Sequence, residues 1–148
     1  MPDFTITNMV LIENPETGEV LVQDRVKKYP GIAFPGGHTE KGESIYDSAV
    51  REVLEETGYS IRELEPCGFI YWDQADGGKY FTYFYRTHTF SGTLIGETDE
   101  GRVFWVRPED LPGMRLAPNM DKYMKMFSGR HSECYCLERA GGYEVIYR

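Results

Sequence analysis

Polar and apolar positions alternate along this chain in short runs broken by glycine and proline, and only one long stretch changes to a helical period. Residues 4–13 alternate and are rich in β-formers, which predicts a first strand. Asn14-Pro15-Glu16-Thr17-Gly18 has the composition of a turn, and residues 20–25 read as the returning strand of a hairpin. A basic loop over 27–31 leads to a brief strand at 32–34, closed by Pro35-Gly36-Gly37. Residues 64–72 and 80–90 predict two more strands around the turn Asp76-Gly77-Gly78, and residues 102–106 another. After a corner at 108–112, residues 119–127 predict a short helix. Residues 134–137 and 143–147 then flank Ala140-Gly141-Gly142 as a closing hairpin.

The helical stretch is 44–57. Ser44 and Asp47 fit a capping box with aspartate in place of glutamate, and Gly58 follows as a C-cap. At about 100° per residue, Tyr46, Val50, Val53 and Leu54 fall on one side and Glu52, Glu55 and Glu56 on the other. Strands interleaved with two helices predict an α+β domain, and 148 residues suit one domain spanning 1–148.

Composition narrows the function. Apolar residues are 41% of the chain, enough for a core. The net charge of −8 repels nucleic acid and anionic membrane, so neither is expected as a partner. A phosphate-bearing substrate is compatible with that charge only if cations stand between it and the carboxylates. Cys67, Cys134 and Cys136 lack the spacing of a disulfide framework or a zinc site and read as small packing residues. The first residues carry no basic segment leading into a long apolar run, and no stretch approaches a membrane span, so a cytoplasmic protein is the expectation.

The carboxylate side of the predicted helix is the candidate for chemistry. Glu52, Glu55 and Glu56 stand at i, i+3 and i+4, where like charges weaken a helix. A bare run of this kind is usually a solvated acidic face. The alternative is a divalent cation, since magnesium and manganese take oxygen ligands from a few carboxylates, water and substrate phosphates. The context favours the cation: a glycine pair and a loop lead into the helix, Glu43 precedes its first turn, and Arg51 is placed to pair with Glu43.

Gly37, then Glu43, then Arg51-Glu52-Val53, Glu55-Glu56, Gly58 and Tyr59, with gaps of five, seven, one and one residues, resemble the signature of the Nudix hydrolases over residues 37–59. Tyr59 departs from the family's usual aliphatic residue. The resemblance implies an α/β/α sandwich whose mixed central sheet is flanked by helices. It implies a Mg2+-dependent phosphoanhydride hydrolase, with Mn2+ as a substitute. Glu52, Glu55 and Glu56 would be metal ligands, Glu55 and Glu56 with a catalytic role, and Gly36 would lend a carbonyl. Gly37, Glu43, Arg51 and Gly58 would shape the loop. Family members often carry a further glutamate ahead of a Trp-Val strand, as metal ligand or base. Glu100 has that place before Trp105-Val106, with Glu97 as its rival.

Arg25 and Asn119 are similar to substrate-contacting residues of the MutT-type members, which hydrolyse oxidised guanine nucleotides. Both have an equal structural reading, Arg25 as a surface ion-pair residue and Asn119 as a helix N-cap. The implied substrate is a nucleoside triphosphate such as 8-oxo-dGTP, yielding a monophosphate and pyrophosphate. Hydrolysis of ADP-ribose, a nucleotide sugar or a dinucleoside polyphosphate stays open, as does a non-catalytic nucleotide-binding domain. Phe4, Tyr83 and Tyr85 are the aromatic candidates for a base pocket on the predicted strands. A monomer and a homodimer fit the sequence equally.

Overall fold

The computed structural model describes residues 2–148. In chain order the strands are β1 (Phe4–Ile12), β2 (Val20–Arg25), β3 (Gly31–Ala33) and β4 (Gly36–His38), followed by the helix α1 (Ile45–Thr57). Then come β5 (Tyr59–Arg62), β6 (Glu65–Asp73), β7 (Lys79–Thr87), β8 (Thr89–Gly92), β9 (Glu97–Thr98) and β10 (Gly101–Val106). A single 3-10 turn (Pro108–Gly113) and the helix α2 (Met120–Met126) precede the hairpin of β11 (Glu133–Arg139) and β12 (Gly142–Tyr147). The predicted α+β class and the closing hairpin are both present.

One mixed sheet has the order β12-β11-β6-β7-β1-β4, and a second has β3-β2-β10-β9; β5 and β8 form a separate pair. This corrects the predicted hairpin of the first two strands. The turn forms, with the Asn14 amide donating to the Glu19 carbonyl. Beyond a bridge at Glu13 and Val20, however, β1 pairs with β7 in parallel and with β4, while β2 joins β3 and β10. A turn fixes that the chain reverses; it does not fix which sheet the second strand enters.

The strands separate two apolar cores. Between α2 and the sheets lie Met9, Val22, Phe34, Ile70, Phe84 and Met120 among others. Under α1 lies a smaller cluster of Val10, Ile12, Leu21, Ala49, Val53 and Ile61. The strand period of two explains the division: on β1, Met9 points to one core and Val10 to the other.

Helix α1 starts where the sequence predicts. The Ser44 hydroxyl accepts from the Asp47 amide at 3.0 Å, and Gly58 closes the helix in the left-handed region at φ 84°. Its faces differ from expectation. Leu54 is 49% exposed and Tyr46 40%, whereas Glu56 is only 8% exposed, beside buried Val53 and Thr57. A helix positioned for packing alone would reverse Leu54 and Glu56.

Candidate active site

The site is built on β4, a strand with too little side-chain pattern to be legible in the sequence. Gly36 and Gly37 pair with Met9 and Asn8 of β1, and α1 lies against them. A Cβ on Gly36 would come within 2.1 Å of the Asn8 carbonyl oxygen. One on Gly37 would stand 2.4 Å from Cδ of Glu52. Both glycines are therefore required by close approach, the first to a strand and the second to a carboxylate.

Glu56 turns towards this strand. Its Oε2 accepts from the Gly36 amide at 3.1 Å. Burial pushes its pKa up to about 8; the Gly36 amide opposes the shift, and the charges of Glu52 and Glu100 add to it. Burial also raises Glu52, against the pull of Arg51. Glu55 lies further out, its side chain 58% exposed.

Arg51 organises the loop between β4 and α1. Its Nε and Nη2 donate to the two oxygens of Glu43 at 3.0 and 2.7 Å, a bidentate pair, and Nη2 also donates to the His38 carbonyl at 3.0 Å. Nη1 lies between Glu52 and Glu55 at 3.1 and 3.2 Å. The Glu43 carboxyl is held below its usual range by Arg51 and by the Glu40 amide, which donates to it at 2.8 Å. Arg51 itself is raised, chiefly by Glu43.

Among the described residues, no three carboxylate, thiol or imidazole groups stand close enough to form a finished metal cage. The reason is visible in the pairing: Arg51 sits between Glu52 and Glu55, and Glu56 is turned to Gly36. The donor chemistry nevertheless fits a hard divalent cation. It is all oxygen, and it includes a desolvated carboxylate with a raised pKa, which a cation would stabilise in its charged form.

These carboxylates close one end of a cleft of about 890 Å3, which Arg25, Glu100 and Asn119 also line. That volume is of the size that holds a nucleotide-sized ligand. Glu100 ends the β9–β10 turn, 45% exposed, and pairs with Lys27 at 3.4 Å. Glu97 is exposed in β9 and lies outside the cleft wall. Arg25 donates through Nε and Nη2 to the Lys28 carbonyl at 3.3 and 3.1 Å. Asn119 precedes α2 with φ 69° and makes no side-chain cap bond; its Oδ1 accepts from Lys122 Nζ at 3.0 Å. The capping reading of Asn119 therefore fails in its side-chain form.

The aromatic expectation needs correction. Tyr83 is not in the cleft: its ring stacks on Phe69 at 5.1 Å, on the opposite face of the sheet. Tyr85 packs edge-on against Tyr46 under α1, and Phe4 is 64% exposed at the start of β1. The parity of β7 decides this: Tyr80 and Thr82 face the cleft, so Phe81, Tyr83 and Tyr85 face away. The aromatic wall comes instead from Trp72 and Tyr80, cross-strand neighbours stacked at 4.5 Å and 10°, with Tyr29 and Tyr123 nearby. Alternation alone could have grouped Tyr80 with Thr82; only the fold shows which group meets the carboxylates.

Residues 4–127 match the NUDIX domain. The chain belongs to the Nudix family. It is 29% identical over 117 residues to the uncharacterized Nudix hydrolase YvcI of Bacillus subtilis (strain 168), covering 76% of this chain and 72% of the relative. It is also 29% identical over 124 residues to a second protein of that strain, named provisionally as an 8-oxo-dGTP diphosphatase, covering 84% and 80%. The solved structure of a MutT protein from Bacillus halodurans superposes with a TM-score of 0.73 over 97% of this chain and 96% of its own, at 19% identity. This Nudix hydrolase thus has the family's fold along nearly its whole length. Among the described residues, no helix is long and apolar enough to cross a membrane.

Proposed function

We propose that this Nudix hydrolase splits a phosphoanhydride bond of a nucleoside triphosphate in the cleft, with an oxidised purine nucleotide such as 8-oxo-dGTP as substrate and a monophosphate and pyrophosphate as products. The observation that carries the reading is the polarity of the cleft: carboxylates at one end, stacked aromatic rings at the other. A nucleotide has the matching polarity, a polyphosphate joined to a flat base. The relative named as an 8-oxo-dGTP diphosphatase supports the same substrate.

Glu52, Glu55, Glu56 and Glu100, with a carbonyl of Gly36, would hold Mg2+ or Mn2+. When bound, the ion neutralises phosphate oxygens and makes water more acidic. The remaining work falls to the chain. Trp72 and Tyr80 offer ring faces to the base, and a stacked base is worth about 1–3 kcal/mol. The Arg25 guanidinium, at the cleft wall, turns from the Lys28 carbonyl to a phosphate oxygen. Asn119 presents both a donor and an acceptor to the base edge. Arg51, by gripping Glu43, keeps the loop and α1 in one geometry.

The attacking water must lose a proton, and Asp99 and Glu100 are the cleft carboxylates that stand off the helix; Lys27 holds Asp99 the closer, at 3.0 Å against 3.4 Å, which leaves Glu100 the freer of the two. Its carboxylate oxygen takes that proton. Glu100→Gln is expected to depress kcat strongly and flatten the acid limb of the pH–rate profile, while Glu97→Gln changes kcat by less than about twofold. Steady-state kinetics of the two variants check the ranking, and the reverse order removes Glu100 from the role.

The substrate is tested by incubating the protein with Mg2+ and a panel of nucleotides, separating products by chromatography. The panel holds canonical and 8-oxo triphosphates, ADP-ribose and a diadenosine polyphosphate. Faster release of pyrophosphate from the 8-oxo purine triphosphate supports the proposal. Preferential cleavage of ADP-ribose or the dinucleotide overturns the substrate but keeps the hydrolase, and binding without any cleavage points to a non-catalytic domain.

A further inference from the structure

Helix α2 and its core cover one face of the six-stranded sheet. On the opposite face, α1 packs against the β1–β4 end and reaches β7 through Tyr46 against Tyr85. The rest of that face carries a continuous ladder of rings. Tyr83 stacks on Phe69 at 5.1 Å, Phe81 on Tyr71 at 5.3 Å, and Tyr71 on Tyr135 at 4.8 Å. Ile6 stands beside Phe81 across β1 and β7, and Ile146 beside Tyr135 across β11 and β12. None of these side chains belongs to either apolar core. All are half-buried, and Phe4, on the same face of β1, is 64% exposed.

We propose that this face is a self-association surface, on which a second copy of the chain packs sheet against sheet. Area favours this occupant. The ladder crosses five strands spaced about 4.8 Å, with two or three same-face positions about 7 Å apart on each, so with its rim it offers on the order of 500 Å2. A patch of about that size is at the upper end of what a monomer exposes and is often functional, and two copies together bury on the order of 1,000 Å2, the lower bound for a specific interface.

Charge points the same way. The chain carries −8, so most contacts between copies are repulsive. The rings are neutral, and several charges at the ladder's border are already paired within the chain. Asp73 is bridged by Lys79 and also accepts from the Tyr135 hydroxyl, and Arg139 Nη2 pairs with Glu144 at 2.9 Å. Two copies meeting here bury rings against rings and leave those pairs at the rim. A nucleic acid stacking on the same rings would meet the acidic surface.

The NUDIX match ends at residue 127, and the hairpin that follows supplies Tyr135 and Ile146. Without it the ladder would stop at β6 as an edge strand.

Sedimentation velocity of the full chain from about 1 µM to about 500 µM tests the proposal, since an interface near the lower size bound fits a roughly micromolar Kd. The expected result is a shift from a 17.1 kDa monomer to a dimer as concentration rises. Association should strengthen from low to high salt, because salt screens the like net charges and leaves the apolar contact intact. Phe81→Glu and Tyr135→Glu should each weaken dimerisation at least about tenfold. Phe4→Glu, at an exposed position that cannot cost the fold, should weaken it about threefold or more, which keeps the test decisive if either ring variant melts early by circular dichroism. A monomer at every concentration overturns the proposal, as does a dimer that all three variants leave intact.

Discussion

Glu56→Gln is expected to lower turnover by on the order of a hundredfold or more, with the fold intact. The same substitution should change how stability depends on pH. In the metal-free protein Glu56 has a pKa of about 8, raised from an ordinary carboxyl value. The folded state therefore holds a proton that the unfolded chain releases across the interval from about 4.5 to 8. A raised pKa contributes stability that is fully present below the unfolded value and is lost as pH rises through the folded one. Metal-free wild-type protein should thus lose a few kcal/mol between pH 4.5 and 8.5 from this group. Glu56→Gln removes that loss and should melt higher than wild type at pH 9. Adding Mg2+ at pH 9 should raise the wild-type Tm more than that of the variant. Calorimetry of both proteins across pH, with and without Mg2+, checks each statement. A wild-type pH profile matching that of the variant would mean Glu56 titrates normally.

The glycine pair gives the second large effect, and its two members should fail differently. At Gly37 the atoms nearest an alanine Cβ are all of the Glu52 carboxylate, Cδ at 2.4 Å and both oxygens at 2.6 Å. The far end of a glutamate can move, so Gly37→Ala should cost only about 1 kcal/mol in stability. Displacing Glu52 should nonetheless reduce kcat/KM on the order of a hundredfold. At Gly36 the obstacle is the Asn8 backbone, at 2.1 Å, which cannot give without moving β4 off β1. Gly36→Ala should therefore cost about 3 kcal/mol or more and impair folding itself. In Gly37→Ala/Glu52→Ala the clash is gone, so its Tm should equal that of Glu52→Ala alone. Thermal melts and steady-state kinetics of the four variants separate the cases. An unstable Gly37→Ala that Glu52→Ala does not relieve would show that Gly37 meets something other than that carboxylate.

The box around α1 was legible because its meaning is local. Ser44, Asp47 and Gly58 cap the helix by contacts within a few residues, and Arg51 reaches Glu43 along the same short loop. What the sequence withheld depends on distant partners. Leu54 and Glu56 exchanged places because hydrophobicity assigns leucine to the core, while the floor of β4 draws a carboxylate inward. Gly36-Gly37-His38 has almost no side-chain pattern, and its strand character comes wholly from β1. Tyr83 is a candidate for the cleft by alternation alone, which groups residues by face without saying which face is which. Residues 59–62 and 89–92 pair only with each other, so neither run is readable as a strand alone.

The order in which these parts are made bears on how the molecule assembles. Strand β1 is synthesised well before β7, yet the two pair in parallel, Phe4 beside Lys79 and Ile12 beside Thr87. Parallel pairing at such separation closes a long loop before any contact rewards it, so it is slow. On the ribosome, α1 can form its hydrogen bonds as soon as residue 58 has emerged. The central strand pair cannot close until residues 79–87 follow, and β6 waits for β11, paired with it in parallel from Glu133 onward. During that interval the early apolar strands are exposed together. Exposed apolar surface and unpaired strand edges make that interval one in which the nascent chain is prone to aggregate.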